Sequence, residues 1–158
     1  MDTTDFYSEG IASAKKLVAA MDHESLQPGE TADVTLIARD ADMAKALSLS
    51  PDENFPEVLA TSRMVALMEL AAARLMKKLL QPHELSVGVG VNIRHLAATP
   101  NNTEVKAVAT FLGYEGKLFK FKVEAFDPAG KVGEGEHTRA IIDTVRLLEG
   151  ARKRFGVR

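Results

Sequence analysis

A single carboxylate, Glu69, lies in the most apolar stretch of the sequence, MVALMELAAARLM, from Met64 to Met76. Burying an unpaired carboxylate costs free energy, so this group should be paired, protonated or placed at a cavity. The nearest basic residues, Arg63 and Arg74, lie six and five positions away, which are poor spacings for a helical ion pair. Glu69 is therefore a candidate for chemistry, and a carboxylate held in an ordinary ion-pair network is the alternative.

His95 is the second candidate for chemistry. Strand alternation puts it on the same face of LSVGVGVNIRHLAAT as four apolar residues, Val87, Val89, Val91 and Ile93. A helix carrying Glu69 should pack on that face, so the carboxylate and the imidazole could share one cavity. Such a pair can hold a proton, orient a water or activate a nucleophile, although a histidine satisfied within the core remains the alternative.

Thr61 could border the same pocket. It precedes Glu69 by eight residues, which brings the two side chains to within about 80° of each other around a helix. Considered by itself, it is better explained as a hydroxyl at the start of a helix.

Glycines and basic residues on the strands form a weaker set of candidates. Gly88 and Gly90 lie inside a predicted strand, where glycine marks either close approach of a ligand or backbone, or a bulge. His137 and Arg139 share one face of the last predicted strand, for which a solvated edge is the simple explanation. The sequence has no zinc-ligand spacing, no phosphate-binding glycine loop and no Gly-x-Ser-x-Gly elbow.

The composition narrows the functional classes. The 158 residues fit one domain, and a net charge of -2 does not favour nucleic acid or an anionic membrane as a partner. With no cysteine, disulfides and thiolate chemistry are excluded, and a cytoplasmic protein is expected. The N-terminus lacks the pattern of a secretory signal, and no apolar stretch reaches membrane-spanning length.

The elements that must position these residues follow from periodicity. Residues 1–26 predict an amphipathic helical appendage, TADVTLIA predicts a strand, and a long helix should begin near Pro56 and end before Pro82. Because that helix is apolar on nearly every face, it should be buried. Four further strands should follow as an antiparallel meander, with a GYEG hairpin, a DPAGK turn and a last strand running to Leu148. The middle two, TEVKAVATFL and KLFKFKVEAF, alternate, which puts these residues on one face: Val105, Ala107, Ala109, Phe111, Phe119, Phe121, Val123 and Ala125.

An antiparallel sheet covered by one apolar helix predicts an α+β protein of the hot-dog architecture. This domain should span residues 27–150, followed by a basic C-terminal tail at 151–158.

Three segments resemble the signature segments of the fluoroacetyl-CoA thioesterase-like family of hot-dog proteins. They are FPEVLATSRMVALMELAAARLM, GVGVNIRHLAATP and GEGEHTRAIID, and the resemblance runs from about Thr31 to about Leu148. It implies a homodimer that holds acyl-CoA near the subunit interface, with no metal and no organic cofactor.

The same resemblance implies roles for individual residues. It puts a catalytic threonine, glutamate and histidine on Thr61, Glu69 and His95, and substrate contacts on Gly88 and Arg139. Of two phenylalanines that form a hydrophobic gate in the enzyme that defines the family, one matches Phe55, whereas the other falls on Asp52. This departure favours a general or different short acyl-CoA over strict fluoroacetyl selectivity.

Hydrolysis of an acyl-CoA thioester is therefore the leading hypothesis. Glu69 would act as nucleophile or general base, His95 would assist proton transfer, and Thr61 would position Glu69 or the thioester by hydrogen bonding. An enoyl-CoA hydratase or dehydratase, and a non-catalytic acyl-CoA-binding module, are the alternatives, because the same fold hosts all three.

Overall fold

A computed structural model describes residues 24–157 of the chain. The helix predicted within residues 1–26 falls on positions 3–21 and lies outside the described residues. The principal elements are β1 (Thr31–Ile37), α1 (Thr61–Met76), β2 (Glu84–His95), β3 (Glu104–Glu115), β4 (Leu118–Asp127), β5 (Gly130–Asp143) and α2 (Thr144–Arg154). Short 3-10 helices cover Asp40–Asp42, Ala44–Leu47 and Lys77–Leu79.

The five strands form one antiparallel sheet in the order β1-β3-β4-β5-β2. Strands β3, β4 and β5 form the predicted meander, but β2 pairs with β5 instead of β3, so the expected four-strand meander is wrong at that point. Residues 96–103 separate β2 from β3. A connection of this length does not force two strands into a hairpin, so β2 can occupy the far edge.

One face of the sheet packs on α1 and forms the core. Along β3 and β4 the predicted alternation is confirmed, and eight inward side chains are buried: Val105, Ala107, Ala109, Phe111, Phe119, Phe121, Val123 and Ala125. The helix contributes Met64, Leu67, Met68, Ala71, Ala72, Leu75 and Met76 to the same core. A curled sheet around one helix is the predicted hot-dog arrangement.

Helix α1 is buried on one face only, which corrects the expectation of burial all round. Its opposite face carries Glu69, and Leu70 on that face is 44% exposed. The helix also begins at Thr61 rather than near Pro56, because Val58 and Leu59 form β-bridges to neighbouring segments.

Strand β2 is an edge strand, and its predicted alternation breaks at a β-bulge between Gly88 and Gly90. A bulge inserts one extra residue, so side chains before and after it no longer follow a single period. Val91 and His95 both follow the bulge and keep one period, so the bulge separates Val87 from them. The predicted buried face is also wrong at Val89 and Val91, since both valines are more than half exposed.

The C-terminal part also departs from prediction. Strand β5 ends at Asp143 rather than Leu148, and α2 continues to Arg154, so part of the expected basic tail is helical. The Asp143 side chain caps α2 by accepting a 2.9 Å hydrogen bond from the backbone N–H of Arg146. In residues 24–157, neither helix is long and apolar enough to cross a membrane.

Candidate active site

Thr61 and His95 form a hydrogen-bonded pair where the start of α1 meets the end of β2. The Thr61 Oγ1 atom lies 2.8 Å from His95 Nδ1. The other ring nitrogen, Nε2, is buried and has no hydrogen-bond partner among the described residues. A buried polar atom without a partner is costly unless something binds there, so Nε2 is the nitrogen available to a reacting group.

An apolar groove of about 370 Å³ adjoins this pair. Besides Thr61 and His95, its lining is aliphatic: Ala44, Pro56, Val58, Leu59, Leu96, Ala97 and Ala98. Phe55, the predicted gate residue, is 46% exposed and does not line this groove. The groove can hold a small apolar group next to the imidazole.

Glu69 lies farther along α1 in a second cluster of polar groups. Its side chain is 39% exposed, and its Oε1 atom is 3.9 Å from His137 Nε2. A Cβ atom placed on Gly88 would overlap Glu69 Oε1, so the carboxylate occupies the space that the glycine leaves free. Neither Arg63 nor Arg74 pairs with it, because Arg63 binds Asp42 and Arg74 donates to a backbone carbonyl.

Arg139 lies on β5 next to this carboxylate and is 7% exposed. Its Nε donates to Ser86 Oγ at 3.2 Å, its Nη2 to Ser86 O at 2.8 Å, and its Nη1 contacts His137 Nε2 at 3.2 Å. Burial lowers the pKa of the Arg139 guanidinium, and the charge of Glu69 opposes that effect. The cluster thus holds a buried cation close to a half-exposed carboxylate.

These two groups of residues are separate within one chain. Eight residues of helix between Thr61 and Glu69 correspond to about 12 Å along the axis. Seven residues of strand between Gly88 and His95 correspond to about 23 Å. The structure therefore joins Thr61 with His95, and Glu69 with Gly88 and Arg139, but a single chain does not join Glu69 with His95.

Two further members of the Glu69 cluster are His137, which the sequence suggested only as a weaker candidate, and Ser86, which it did not suggest. His137 is 1% exposed, so the solvated edge considered for it is wrong. Strand β5 lies between β4 and β2 and has no free edge. The available signal was the alternation that places His137 and Arg139 on one face, which becomes informative only once the strand order is known.

The described residues contain no group of three His, Cys, Asp or Glu side chains arranged to hold a metal ion. The predicted lack of any metal or organic cofactor stays a prediction.

The curled antiparallel sheet around α1 defines a protein of the hot-dog thioesterase fold. Within that class, the chain belongs to the FlK family, described as fluoroacetyl-CoA-specific thioesterase, whose family model matches residues 40–145.

Individual relatives agree with this assignment. A fluoroacetyl-CoA thioesterase of Streptantibioticus cattleyicolor is 42% identical over 88 residues, which are 56% of this chain and 63% of that protein. The alignment thus spans somewhat less than two thirds of the curated relative.

Two solved structures extend the likeness. A point variant of the fluoroacetyl-CoA-specific thioesterase FlK, in complex with fluoroacetate and CoA, is 33% identical with a TM-score of 0.73, covering 77% of this chain and 99% of that one. A hot-dog-like protein from Thermanaerovibrio acidaminovorans has a TM-score of 0.73 at 23% identity, covering 84% and 96% of the two chains, and supports the fold alone.

Proposed function

We propose that this protein is an acyl-CoA thioesterase that hydrolyses a short or small acyl-CoA to the free acid and coenzyme A. The observation that carries this proposal is the Thr61–His95 hydrogen bond, with an unpartnered Nε2 beside an apolar groove. Membership in the FlK family, and a relative with bound CoA and fluoroacetate, support the same substrate class.

The proposal includes a homodimer that completes the site. Among residues 24–157, strand β2 has no partner on its outer edge, where Leu85, Val89 and Val91 are exposed apolar side chains, and such an edge favours pairing with another strand. If two copies of β2 paired antiparallel about a two-fold axis at Asn92, the bulge between Gly88 and Gly90 would bring Gly88 close to His95 of the partner subunit. Glu69, which rests against Gly88, would then face the partner's Thr61–His95 pair.

The chemistry follows from the groups that such a dimer would bring together. Glu69 attacks the thioester carbonyl as a nucleophile and forms an anhydride that water then hydrolyses, or it takes a proton from the attacking water as a general base. His95 assists by delivering a proton to the departing thiolate. Arg139 lies close enough to Glu69 for its charge to stabilise an anionic tetrahedral intermediate.

The groove favours a small acyl group. Its volume of about 370 Å³ and its lining of alanine, proline, valine and leucine suit a short chain. Because Phe55 does not line it and Asp52 stands at the other gate position, fluoroacetyl-CoA is expected to be one substrate among several short acyl-CoAs.

The first test is thiol release from acyl-CoAs of increasing chain length, fluoroacetyl-CoA included. We expect Glu69→Gln and His95→Gln each to lower kcat by about 100-fold or more, the range for loss of an acid–base group. The matched controls are Glu149→Gln and His83→Gln, because both side chains are exposed and lie outside the two clusters. Unchanged turnover in both active-site variants would contradict the proposed roles.

The same panel separates the alternative functions. Loss of the conjugated double bond of an enoyl-CoA without thiol release would identify a hydratase, and binding without either reaction would identify an acyl-CoA-binding module. A cytoplasmic location and the absence of a cofactor remain parts of this proposal.

A further inference from the structure

His137 lies at the centre of the Glu69 cluster and has no role in the proposed hydrolysis. Its ring is 1% exposed on β5, with the Phe121 ring centroid 6.5 Å away. Gly88 flanks it as well, since a Cβ placed on that glycine would lie 3.3 Å from His137 Cε1. A buried, ionisable ring that contacts two site residues calls for an explanation.

The hydrogen bonds of His137 fix its tautomer. Nδ1 lies 2.8 Å from the carbonyl oxygen of Gly90, and because a carbonyl only accepts, Nδ1 must carry the proton. Burial lowers the pKa of His137 below its ordinary value of 6.5, an effect that Arg139 reinforces and that Glu69 and the Gly90 bond oppose. The ring is therefore neutral at pH 7, and its Nε2 offers a lone pair.

That lone pair faces Arg139. Ser86 accepts hydrogen bonds from two of the guanidinium nitrogens, Nε and Nη2, and the third nitrogen, Nη1, lies 3.2 Å from His137 Nε2. Without the imidazole acceptor, Nη1 would be a buried donor with the Glu69 carboxylate nearby. A direct ion pair between Arg139 and Glu69 would then hold the carboxylate and reduce its reactivity.

We infer that His137 is a positioning residue: its unprotonated Nε2 holds the Arg139 guanidinium in place and keeps it from pairing directly with Glu69. This inference rests on the proposed function, because it takes Glu69 to be the carboxylate that acts in thioester hydrolysis. It predicts that an acceptor at the position of Nε2 matters more than the size or aromaticity of the ring.

Two substitutions separate the contacts of the ring. In His137→Gln the amide reaches the position of Nε2 and can accept from Arg139. In His137→Asn the amide reaches only the position of Nδ1, so it can donate to Gly90 but cannot reach Arg139. Phe121→Leu is the control, because it loosens the packing against the ring and leaves both hydrogen bonds in place.

Thiol-release kinetics and thermal melting are measured on all three variants. We expect His137→Asn to lose about 10- to 100-fold in kcat with KM within a few-fold, as for loss of a hydrogen bond to a charged group. His137→Gln should retain kcat to within about 3-fold, since the acceptor is restored. Equal losses in the Asn and Gln variants, or losses that follow melting temperature as in Phe121→Leu, would overturn the inference.

A second measurement needs no substrate. Nitrogen-15 NMR of the histidine rings, assigned through His137→Gln, should find Nδ1 protonated and Nε2 unprotonated at pH 7. The Arg139 side-chain N–H groups should exchange slowly with solvent in the wild type and in His137→Gln, and faster in His137→Asn. A His137 ring protonated at Nε2, or equal exchange rates of the Arg139 N–H groups in both variants, would overturn the inference. This holds even if the protein hydrolyses no acyl-CoA, because a lack of hydrolysis by itself contradicts only the proposed function.

Discussion

At the scale of single residues, the space around Glu69 matters as much as its partners. The carboxylate is half-exposed on a helix whose opposite face forms the core, and it rests over Gly88 because that residue has no side chain. A glycine that leaves room for a side chain controls where that side chain points. Gly88 therefore positions Glu69, whether or not it also contacts the substrate.

Gly88→Ala should consequently impair catalysis more than folding. The added methyl group would overlap Glu69 Oε1, the end of a flexible side chain that can move away at little cost. We expect kcat to fall by about 10-fold or more, since a carboxylate displaced by about 1 Å is poorly aligned for attack. Unfolding in urea should change by less than about 1 kcal/mol.

Gly90→Ala is the matched control for that substitution. It introduces the same methyl group two positions along β2, where the nearest neighbour is Thr138 Oγ1 at 3.1 Å instead of Glu69. Near-normal kcat is expected for this variant. If both alanine variants lost activity equally, the strand itself rather than the position of Glu69 would be responsible.

At the scale of elements, β5 holds the edge strand β2 through glycines that permit close approach. A Cβ placed on Gly135 would overlap the backbone carbonyl of Asn92 and lie 2.9 Å from Ile93 Cα. Unlike a side-chain end, backbone in a paired strand cannot move aside without shifting the strand. His95 lies at the end of that strand, so the spacing of β2 and β5 also sets the position of the imidazole.

Gly135→Ala should therefore destabilise the fold by about 1–3 kcal/mol, the usual cost of overpacking. Gly150→Ala should act in the opposite direction, because Gly150 lies in α2 and no atom in the described part of the chain lies within 4 Å of an added Cβ. A gain of up to about 1 kcal/mol is expected there from the higher helix propensity of alanine. Urea unfolding of both variants measures the contrast, and a neutral Gly135→Ala would refute the close-contact argument.

The elements themselves were largely predictable from the sequence. Periodicity located α1 and all five strands, and it identified the inward residues of β3 and β4. It could not foresee the pairing of β2 with β5, since nothing local in residues 96–103 decides between two possible neighbours. Nor could it foresee the bulge near Gly88, because two alternating glycines fit a regular strand equally well.

The site was predictable only in part, for the same reason. Glu69 was evident as a candidate from its apolar surroundings. The joint role of Thr61 and His95 was suggested only by the family resemblance, and no spacing rule predicted that the two side chains are in contact. His137 stayed a weaker candidate in the sequence, because its burial depends on β5 having a neighbour on each side. Residue types point to chemistry, but strand order decides which of them meet.

At the scale of the whole molecule, the separation of the two polar clusters within one chain has a consequence. Thr61 and His95 can act with Glu69 only if two copies combine, with the exposed edge of β2 and the exposed Leu70 of α1 covered by the partner. Each dimer would then contain two sites, each built from the Glu69 cluster of one subunit and the Thr61–His95 pair of the other.

Mixing two inactive variants tests this arrangement directly. Glu69→Gln and His95→Gln subunits, unfolded together and refolded in equal amounts, should form mixed dimers in which one site carries both substitutions and the other carries neither. Random pairing should therefore restore about a quarter of the wild-type thiol release. If each site were confined to one chain, every subunit would still carry a substitution, and the mixture would remain as inactive as its components. Asn92→Glu in both variants provides the control, because two like charges directly opposite each other at the two-fold axis should prevent pairing and abolish the recovery.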